Sequence, residues 1–262
     1  MISAHTVLSL TLTLLVLGCR GSSLPKSGEG CDVKVFAASS LTELLEASGR
    51  SFTKERPDCR VSFNFGASSA LALQIASGAK ADVFVSAARA PVDQLVASRN
   101  VLAGSPLALF SNRLIVICNV KNPIRIEDAC ALASAKVERI AIGQPDAVPA
   151  GMYAKAYLSA IKCADGRKLW DLLEGRLLPM PNVRAVLAVV EQQPGLVGFV
   201  YQTDVWRSRT VQTQFVVQGP EAPRIEYYGV QLGGEPRGGA FLAEFAKPAV
   251  RETTRNLGFL TE

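Results

Sequence analysis

The feature that most constrains the fold is an alternation of short apolar segments with helical segments along the first hundred residues. Val33–Ala38 is rich in β-branched and aromatic residues, as strands are. Residues 41–55 then carry apolar side chains three and four positions apart, the spacing of an amphipathic helix. The same order is predicted twice more, with strands at 60–65 and 82–86 and helices at 70–77 and 91–98. Such alternation predicts right-handed βαβ crossovers and a mostly parallel sheet.

A second set of elements begins near Arg113. Strands are predicted at 114–119, 139–143, 197–201 and 224–231, and helices at 126–134, 150–162, 183–192, 240–246 and 250–257. So many elements in about 230 structured residues favour two α/β lobes joined by a hinge over a single sheet. The predicted division is 31–108 with 227–262 for the first lobe and 109–226 for the second, with crossings near 106–112 and 223–228.

The first thirty residues differ in kind from the rest. Val7–Leu17 is a mostly apolar stretch, too short for the roughly 20 residues that span a bilayer, and residues 1–19 are predicted to be a secretory signal. The run that ends at Cys19 resembles the lipobox of bacterial lipoproteins, and residues 20–30 form a polar tether. We expect export to the periplasm or to the outer face of a membrane. Either a lipid holds the chain there through Cys19, or simple cleavage releases it.

Histidine and charge exclude several classes of function. The one histidine, His5, lies inside the predicted signal, so the mature chain lacks a Ser–His or Cys–His nucleophile pair. The 28 Lys and Arg against 23 Asp and Glu give a net charge of +5, and no run of basic residues predicts nucleic-acid binding. The chain is therefore predicted not to be an enzyme and not to bind nucleic acid.

The cysteines favour disulfides over a metal site. Five remain after the signal, at positions 31, 59, 118, 130 and 163. They include no C-x-x-C pair, and no mature histidine completes a zinc set. Cys31 and Cys59 each precede a predicted strand and are the best candidates to pair in an oxidising compartment. Cys118 lies in an apolar strand and is predicted to be a buried thiol.

Four strand-to-helix turns are the candidate ligand site. They are Ser39-Ser40, Ser68-Ser69, Pro149-Ala150-Gly151 and Pro181-Asn182-Val183. Helix N-termini present unpaired N–H groups that bind anions, and ligands of open α/β sheets bind at the carboxyl ends of the strands. Arg184 is the one basic residue near these turns, so neutral dipoles would hold the anion. Ser and Asn are also preferred helix caps, so each turn by itself predicts only a helix start.

Five motifs are similar to those of a known family. They are F-A-A-S-S-L-T at 36–42, F-G-A-S-S-A-L at 65–71, A-D-V-F-V-S-A at 81–87, G-Q-P-D-A-V-P-A-G-M-Y-A-K at 143–155 and G-F-V-Y at 198–201. In this order they resemble the bacterial periplasmic molybdate-binding proteins of molybdate ABC transporters, which have the type II periplasmic-binding fold. The resemblance covers nearly all of 33–259, and V-P-A-G-x-Y-A-K is its most specific part.

The resemblance implies a tetrahedral oxyanion, molybdate or tungstate, held between the lobes. The implied contacts are the hydroxyls of Ser40 and Ser68, the amides of Ala150 and Val183, and the hydroxyl of Tyr201. Ser39 and Ser69 are the adjacent alternatives, and relatives often carry more serine where this chain has Gly66-Ala67.

The same resemblance implies the partners of the chain. It predicts a monomer with no cofactor, no metal other than molybdenum or tungsten in the anion, and a membrane permease as partner. Two alternatives stay open. One is a binder of another small oxyanion such as sulfate, and the other is an oxyanion-sensing domain of the same fold.

Overall fold

The computed structural model describes residues 31–98, 106–134, 136–206 and 208–261. The predicted signal 1–19, the tether 20–30 and the lipidation of Cys19 lie outside the described residues.

The described chain forms ten strands and eight α-helices, with short 3₁₀ turns between some of them. In chain order they are β1 (Cys31–Ala38), α1 (Thr42–Glu55), β2 (Cys59–Gly66), α2 (Ser68–Ala76), β3 (Val83–Ser86), α3 (Arg89–Ala97), β4 (Leu107–Asn112), β5 (Leu114–Asn119), β6 (Arg139–Gly143), α4 (Pro149–Ala160), α5 (Leu169–Leu173), β7 (Leu177–Met180), α6 (Val183–Gln192), β8 (Leu196–Tyr201), β9 (Val211–Val216), β10 (Ile225–Gln231), α7 (Pro236–Leu242) and α8 (Pro248–Asn256). Within this part of the chain, none of the helices has the length and apolar character needed to cross a membrane.

The strands form two five-stranded sheets. The first has the order β2-β1-β3-β10-β4 and the second β7-β6-β8-β5-β9. In each sheet the second strand of this order, β1 or β6, runs parallel to both of its neighbours, whereas β10 and β5 run antiparallel to theirs. The predicted α/β class with two lobes is confirmed. The parallel strands end at the edge where their crossover helices begin, and this edge carries the candidate turns.

The chain passes between the sheets twice. The first passage lies between Asn112, the end of β4, and Leu114, the start of β5, and the second between Val216 and Ile225. The predicted boundaries at 108/109 and 226/227 fall inside β4 and β10. These two strands pair with each other from Asn112–Ile225 to Leu107–Gly229, which keeps both with the first sheet.

Two disulfides stabilise the lobes. Cys31 pairs with Cys59, as predicted, and joins the first residues of β1 and β2. Cys130 pairs with Cys163 in the second lobe. Cys118 is a free, buried thiol, as predicted from its apolar strand.

The helix predicted at 126–134 is wrong. Only Cys130–Ala133 is helical there, as a short 3₁₀ turn. Ile126, Ala129 and Leu132 are buried at intervals of three residues, which suits a 3₁₀ turn and extended chain better than the 3.6-residue period of an α-helix.

Candidate functional site

The five residues implied by the resemblance lie around one small cavity between the sheets. Ser40 lies in the 3₁₀ turn after β1, and Ser68 is the first residue of α2. From the second sheet come Ala150 in the first turn of α4, Val183 at the start of α6, and Tyr201 at the end of β8. Both lobes therefore contribute to the cavity. Among the described residues that line it, none is charged.

The helix starts that face the cavity leave backbone N–H groups without capping partners. Ala67 precedes α2 and Val148 precedes α4, and neither side chain accepts a hydrogen bond from its helix. At α6, the Asn182 side chain accepts a hydrogen bond from the Ala185 N–H, and the Val183 N–H is not capped by it. The first-turn donors of three helices are thus available to an anion.

The two serines do not act as helix caps. Ser68 lies inside α2, where its Oγ accepts a hydrogen bond from the Ala87 N–H at 3.0 Å. Ser40 Oγ lies 3.0 Å from the Tyr227 hydroxyl. Both serines are buried. The hydroxyl proton of Ser68 also needs an acceptor, because a buried donor without a partner is costly.

The Tyr201 hydroxyl is the most informative group of the site. The side chain is 1% exposed, and its hydroxyl has no hydrogen-bond partner within the described part of the chain. Burial raises the pKa of Tyr201 well above its ordinary value of 10.0, so the hydroxyl stays a neutral donor. An unsatisfied buried hydroxyl costs about 1–3 kcal/mol. The missing partner is therefore expected to be a ligand in the cavity.

Residues 33–260 match the family described as bacterial extracellular solute-binding proteins. The chain belongs to this family. It is 33% identical over 218 residues to the molybdate-binding protein ModA of Haemophilus influenzae, with 82% of each chain covered. The resemblance seen in the motifs is confirmed.

Solved structures of low sequence identity share the fold of this solute-binding protein. The Azotobacter vinelandii periplasmic molybdate-binding protein gives a TM-score of 0.75 at 20% identity, covering 88% of this chain and 99% of that chain. The sulfate-binding protein SubI from Mycobacterium tuberculosis gives a TM-score of 0.75 at 18% identity, covering 87% and 86% respectively. At these identities the likeness shows the two-lobed fold.

Two side chains of the second lobe, Arg184 and Tyr153, contact the first lobe beside the cavity of the solute-binding protein. Arg184 of α6 forms an ion pair with Glu43 of α1, and its Nε donates to the Ser39 carbonyl at 3.3 Å. The Tyr153 hydroxyl of α4 donates to the Ala87 carbonyl at 3.2 Å. The cleft is therefore closed in this structure. Arg184, the basic residue noted in the sequence, bridges the lobes and does not line the cavity.

Asp204 is a buried carboxylate next to the Tyr201 backbone. Its Oδ2 accepts a hydrogen bond from the Tyr201 N–H at 2.9 Å, and its Oδ1 lies 3.2 Å from Arg184 Nε. Burial raises the pKa of Asp204 from 3.8 to about 6, against the lowering effect of Arg184. The charged form is therefore disfavoured even with a cation nearby.

Replacing Asp204 with Asn is expected to change the pH dependence of stability. The unfolded state ionises near pH 3.8, whereas the folded state keeps its proton to about pH 6. The wild type therefore loses stability from this group as pH rises between these values. The stability of Asp204→Asn relative to wild type should improve by roughly 2–3 kcal/mol between about pH 4 and pH 7, measured by urea unfolding.

Asp165→Asn is the matched control for this prediction. Hydrogen bonds from Arg167 lower the pKa of the exposed Asp165, so its contribution to stability is present at neutral pH and lost in acid. The relative stability of this variant should fall as pH rises only below about pH 5, and should stay nearly constant from there to pH 7. If both variants changed with the same sign, the assignment of a raised pKa to Asp204 would be wrong.

Some residues that shape the site could not be identified from local sequence patterns. Ala87 lies in the A-D-V-F-V-S-A motif, yet its contacts with Ser68 and Tyr153 depend on the place of β3 in the sheet. Tyr227 lies 187 positions from Ser40, and no local pattern marks it. Among the described residues there is also no group of three or more His, Cys, Asp or Glu that could hold a metal ion.

Proposed function

We propose that this protein binds molybdate or tungstate outside the cytoplasm and delivers it to the permease of an ABC transporter. One observation carries the proposal: the cavity between the lobes is lined by Tyr201, whose buried hydroxyl has no hydrogen-bond partner among the described residues. The serine hydroxyls and uncapped amides around it are neutral donors, which suit a fully ionised tetrahedral anion. The name and sequence identity of the Haemophilus influenzae relative support this choice of anion.

Capture follows from the division of the donors between the lobes. Ser40 and Ser68 on the first lobe bind the anion in the open form. Ala150, Val183 and Tyr201 reach it only when the second lobe closes. A ligand that contacts the closed state more extensively shifts the equilibrium toward that state. The permease then recognises the closed shape. The protein binds and releases its ligand and catalyses no reaction.

Sulfate is the second candidate ligand. The structural likeness to a sulfate-binding protein supports it. Sulfate has the same charge and shape as molybdate but is smaller, so it would contact fewer of the fixed donors. Neutral dipoles cannot separate the two anions by charge, and size decides between them. Molybdate and tungstate are nearly equal in size, and we propose that both bind.

A panel of oxyanions in a thermal-shift assay tests this function. Molybdate and tungstate at about 100 times their dissociation constants should each stabilise the protein by roughly 2.7 kcal/mol, and sulfate at the same concentration by less. Ser68→Ala should reduce the molybdate shift. Ser69→Ala, which alters the adjacent serine outside the cavity lining, should leave it unchanged.

Three outcomes of the panel would count against the proposal. A larger shift with sulfate would favour the second candidate, and no shift with any oxyanion would contradict oxyanion transport. Loss of binding in Ser69→Ala but not in Ser68→Ala would mean that the family alignment is displaced by one residue.

We further propose that the exported protein is a monomer and is held at the membrane by a lipid on Cys19. The lipobox-like run before Cys19 supports the anchor, and so does the length of the polar tether. Intact mass spectrometry of the mature N-terminus tests it, since an unmodified terminus would instead support simple signal cleavage. Size-exclusion chromatography tests the monomer.

A further inference from the structure

Tyr227 lies behind the cavity and touches a residue that faces it. It belongs to β10 and is fully buried. Its hydroxyl oxygen lies 3.0 Å from Ser40 Oγ and 3.2 Å from Asn112 Nδ2. The residue itself is absent from the cavity lining. The Tyr227 ring packs edge-on against that of Tyr201, with centroids 6.0 Å apart. Its hydroxyl, however, reaches the cavity lining through Ser40, so the effect of the hydroxyl on a ligand acts through Ser40.

The amide of Asn112 has a fixed orientation. Its Oδ1 accepts a hydrogen bond from the Arg113 N–H at 2.9 Å. The opposite atom, Nδ2, must therefore face Thr203 Oγ1 at 2.9 Å and the Tyr227 hydroxyl at 3.2 Å. Because Nδ2 is only a donor, the Tyr227 oxygen is an acceptor in this pair.

The proton of Tyr227 then has one acceptor within reach in the described structure, which is Ser40 Oγ. A buried hydroxyl proton without an acceptor is costly, so Tyr227 donates to Ser40. Burial keeps the pKa of Tyr227 far above its ordinary value, and the proton stays in place.

Ser40 therefore accepts the hydrogen bond from Tyr227 at one lone pair of its Oγ. The Ser40 proton is then left to point into the cavity that Ser40 lines. We infer that Asn112 and Tyr227 are positioning residues that orient the Ser40 hydroxyl so that it donates to the ligand. This inference rests on the proposed function of the cavity.

The physical basis of this effect is the preset direction of one hydrogen bond. While Tyr227 donates to Ser40, the Ser40 hydroxyl can donate to the anion without first reorienting. If Tyr227 loses its hydroxyl, the Ser40 hydroxyl can rotate between orientations, and ordering it on binding lowers the affinity.

Titration of wild type and Tyr227→Phe with molybdate by calorimetry tests this inference. We expect the molybdate affinity to fall roughly tenfold in Tyr227→Phe, because the ring is kept while the hydrogen bond that orients Ser40 is lost. Tyr228→Phe alters the neighbouring residue of the same strand, outside the cavity lining, and should leave the molybdate affinity unchanged.

A double-mutant cycle separates orientation of Ser40 from general damage to the fold. In a Ser40→Ala background, Tyr227→Phe should cause no further loss of molybdate affinity, since its effect acts through Ser40. Additive losses in the double variant, or an unchanged molybdate affinity in Tyr227→Phe, would overturn the inference while molybdate binding by the wild type stands. A wild type that does not bind molybdate would overturn the proposed function and this inference with it.

Discussion

Replacing Tyr201 with Phe is expected to weaken molybdate binding by roughly 10- to 100-fold without lowering the stability of the ligand-free protein. The hydroxyl is buried and has no partner in the described structure. Removing the hydroxyl therefore eliminates an unsatisfied polar group from the ligand-free closed protein. It also eliminates a hydrogen-bond donor from the complex with molybdate. Calorimetric titration measures the affinity, and thermal unfolding without ligand measures the stability.

The opposite behaviour of affinity and stability distinguishes a ligand contact from a structural tyrosine. Tyr157→Phe is the matched control, because Tyr157 is also buried in the second lobe but lies outside the cavity lining. It should leave affinity unchanged. If Tyr201→Phe lost stability and bound molybdate as well as the wild type does, Tyr201 would be a packing residue and the proposed ligand set would be wrong.

Gly151→Ala is expected to have the largest effect on stability, a loss of at least roughly 4 kcal/mol. A Cβ at Gly151 would lie 2.0 Å from the Gly143 carbonyl oxygen and 2.5 Å from the carbonyl carbon. Both are backbone atoms at the end of β6, and they cannot move as a side chain can. The first turn of α4 would have to shift, and the Ala150 amide would shift with it. Urea unfolding should show the lost stability, and calorimetry the loss of molybdate affinity.

Gly175→Ala is the control for this substitution. A Cβ at Gly175 meets no described atom within 4 Å, and the residue lies in a short 3₁₀ turn outside the cavity lining. Its stability should stay within about 1 kcal/mol of the wild type. If Gly151→Ala were as stable as Gly175→Ala, the close approach of α4 to β6 would be wrong. No packing contact would then explain why this position of the V-P-A-G motif is a glycine.

The sequence by itself determined the strands and helices of residues 31–98 and their order. The β-branched run of Val33–Ala38 and the apolar spacing of residues 41–55 correspond to β1 and α1. Side-chain alternation and helical periodicity are properties of consecutive residues, so they can be read without tertiary information. The same holds for Cys31 and Cys59, since both open strands of one βαβ unit. The motifs placed five residues that the structure brings to one cavity.

Only the tertiary structure decided what depends on distant pairing. β4 belongs to the first sheet because it pairs with β10, more than a hundred residues later, and this pairing sets where the chain leaves each lobe. Cys130–Cys163 and the 3₁₀ turn at 130–133 depend on packing within the second lobe.

The orientation of Ser40 depends on the tertiary structure most of all. It is set by Tyr227 and Asn112, which the return of the chain into the first sheet brings beside it. Hydrogen-bond direction depends on which donors and acceptors meet in space. Local sequence patterns carry no information about partners that folding brings together from such distances.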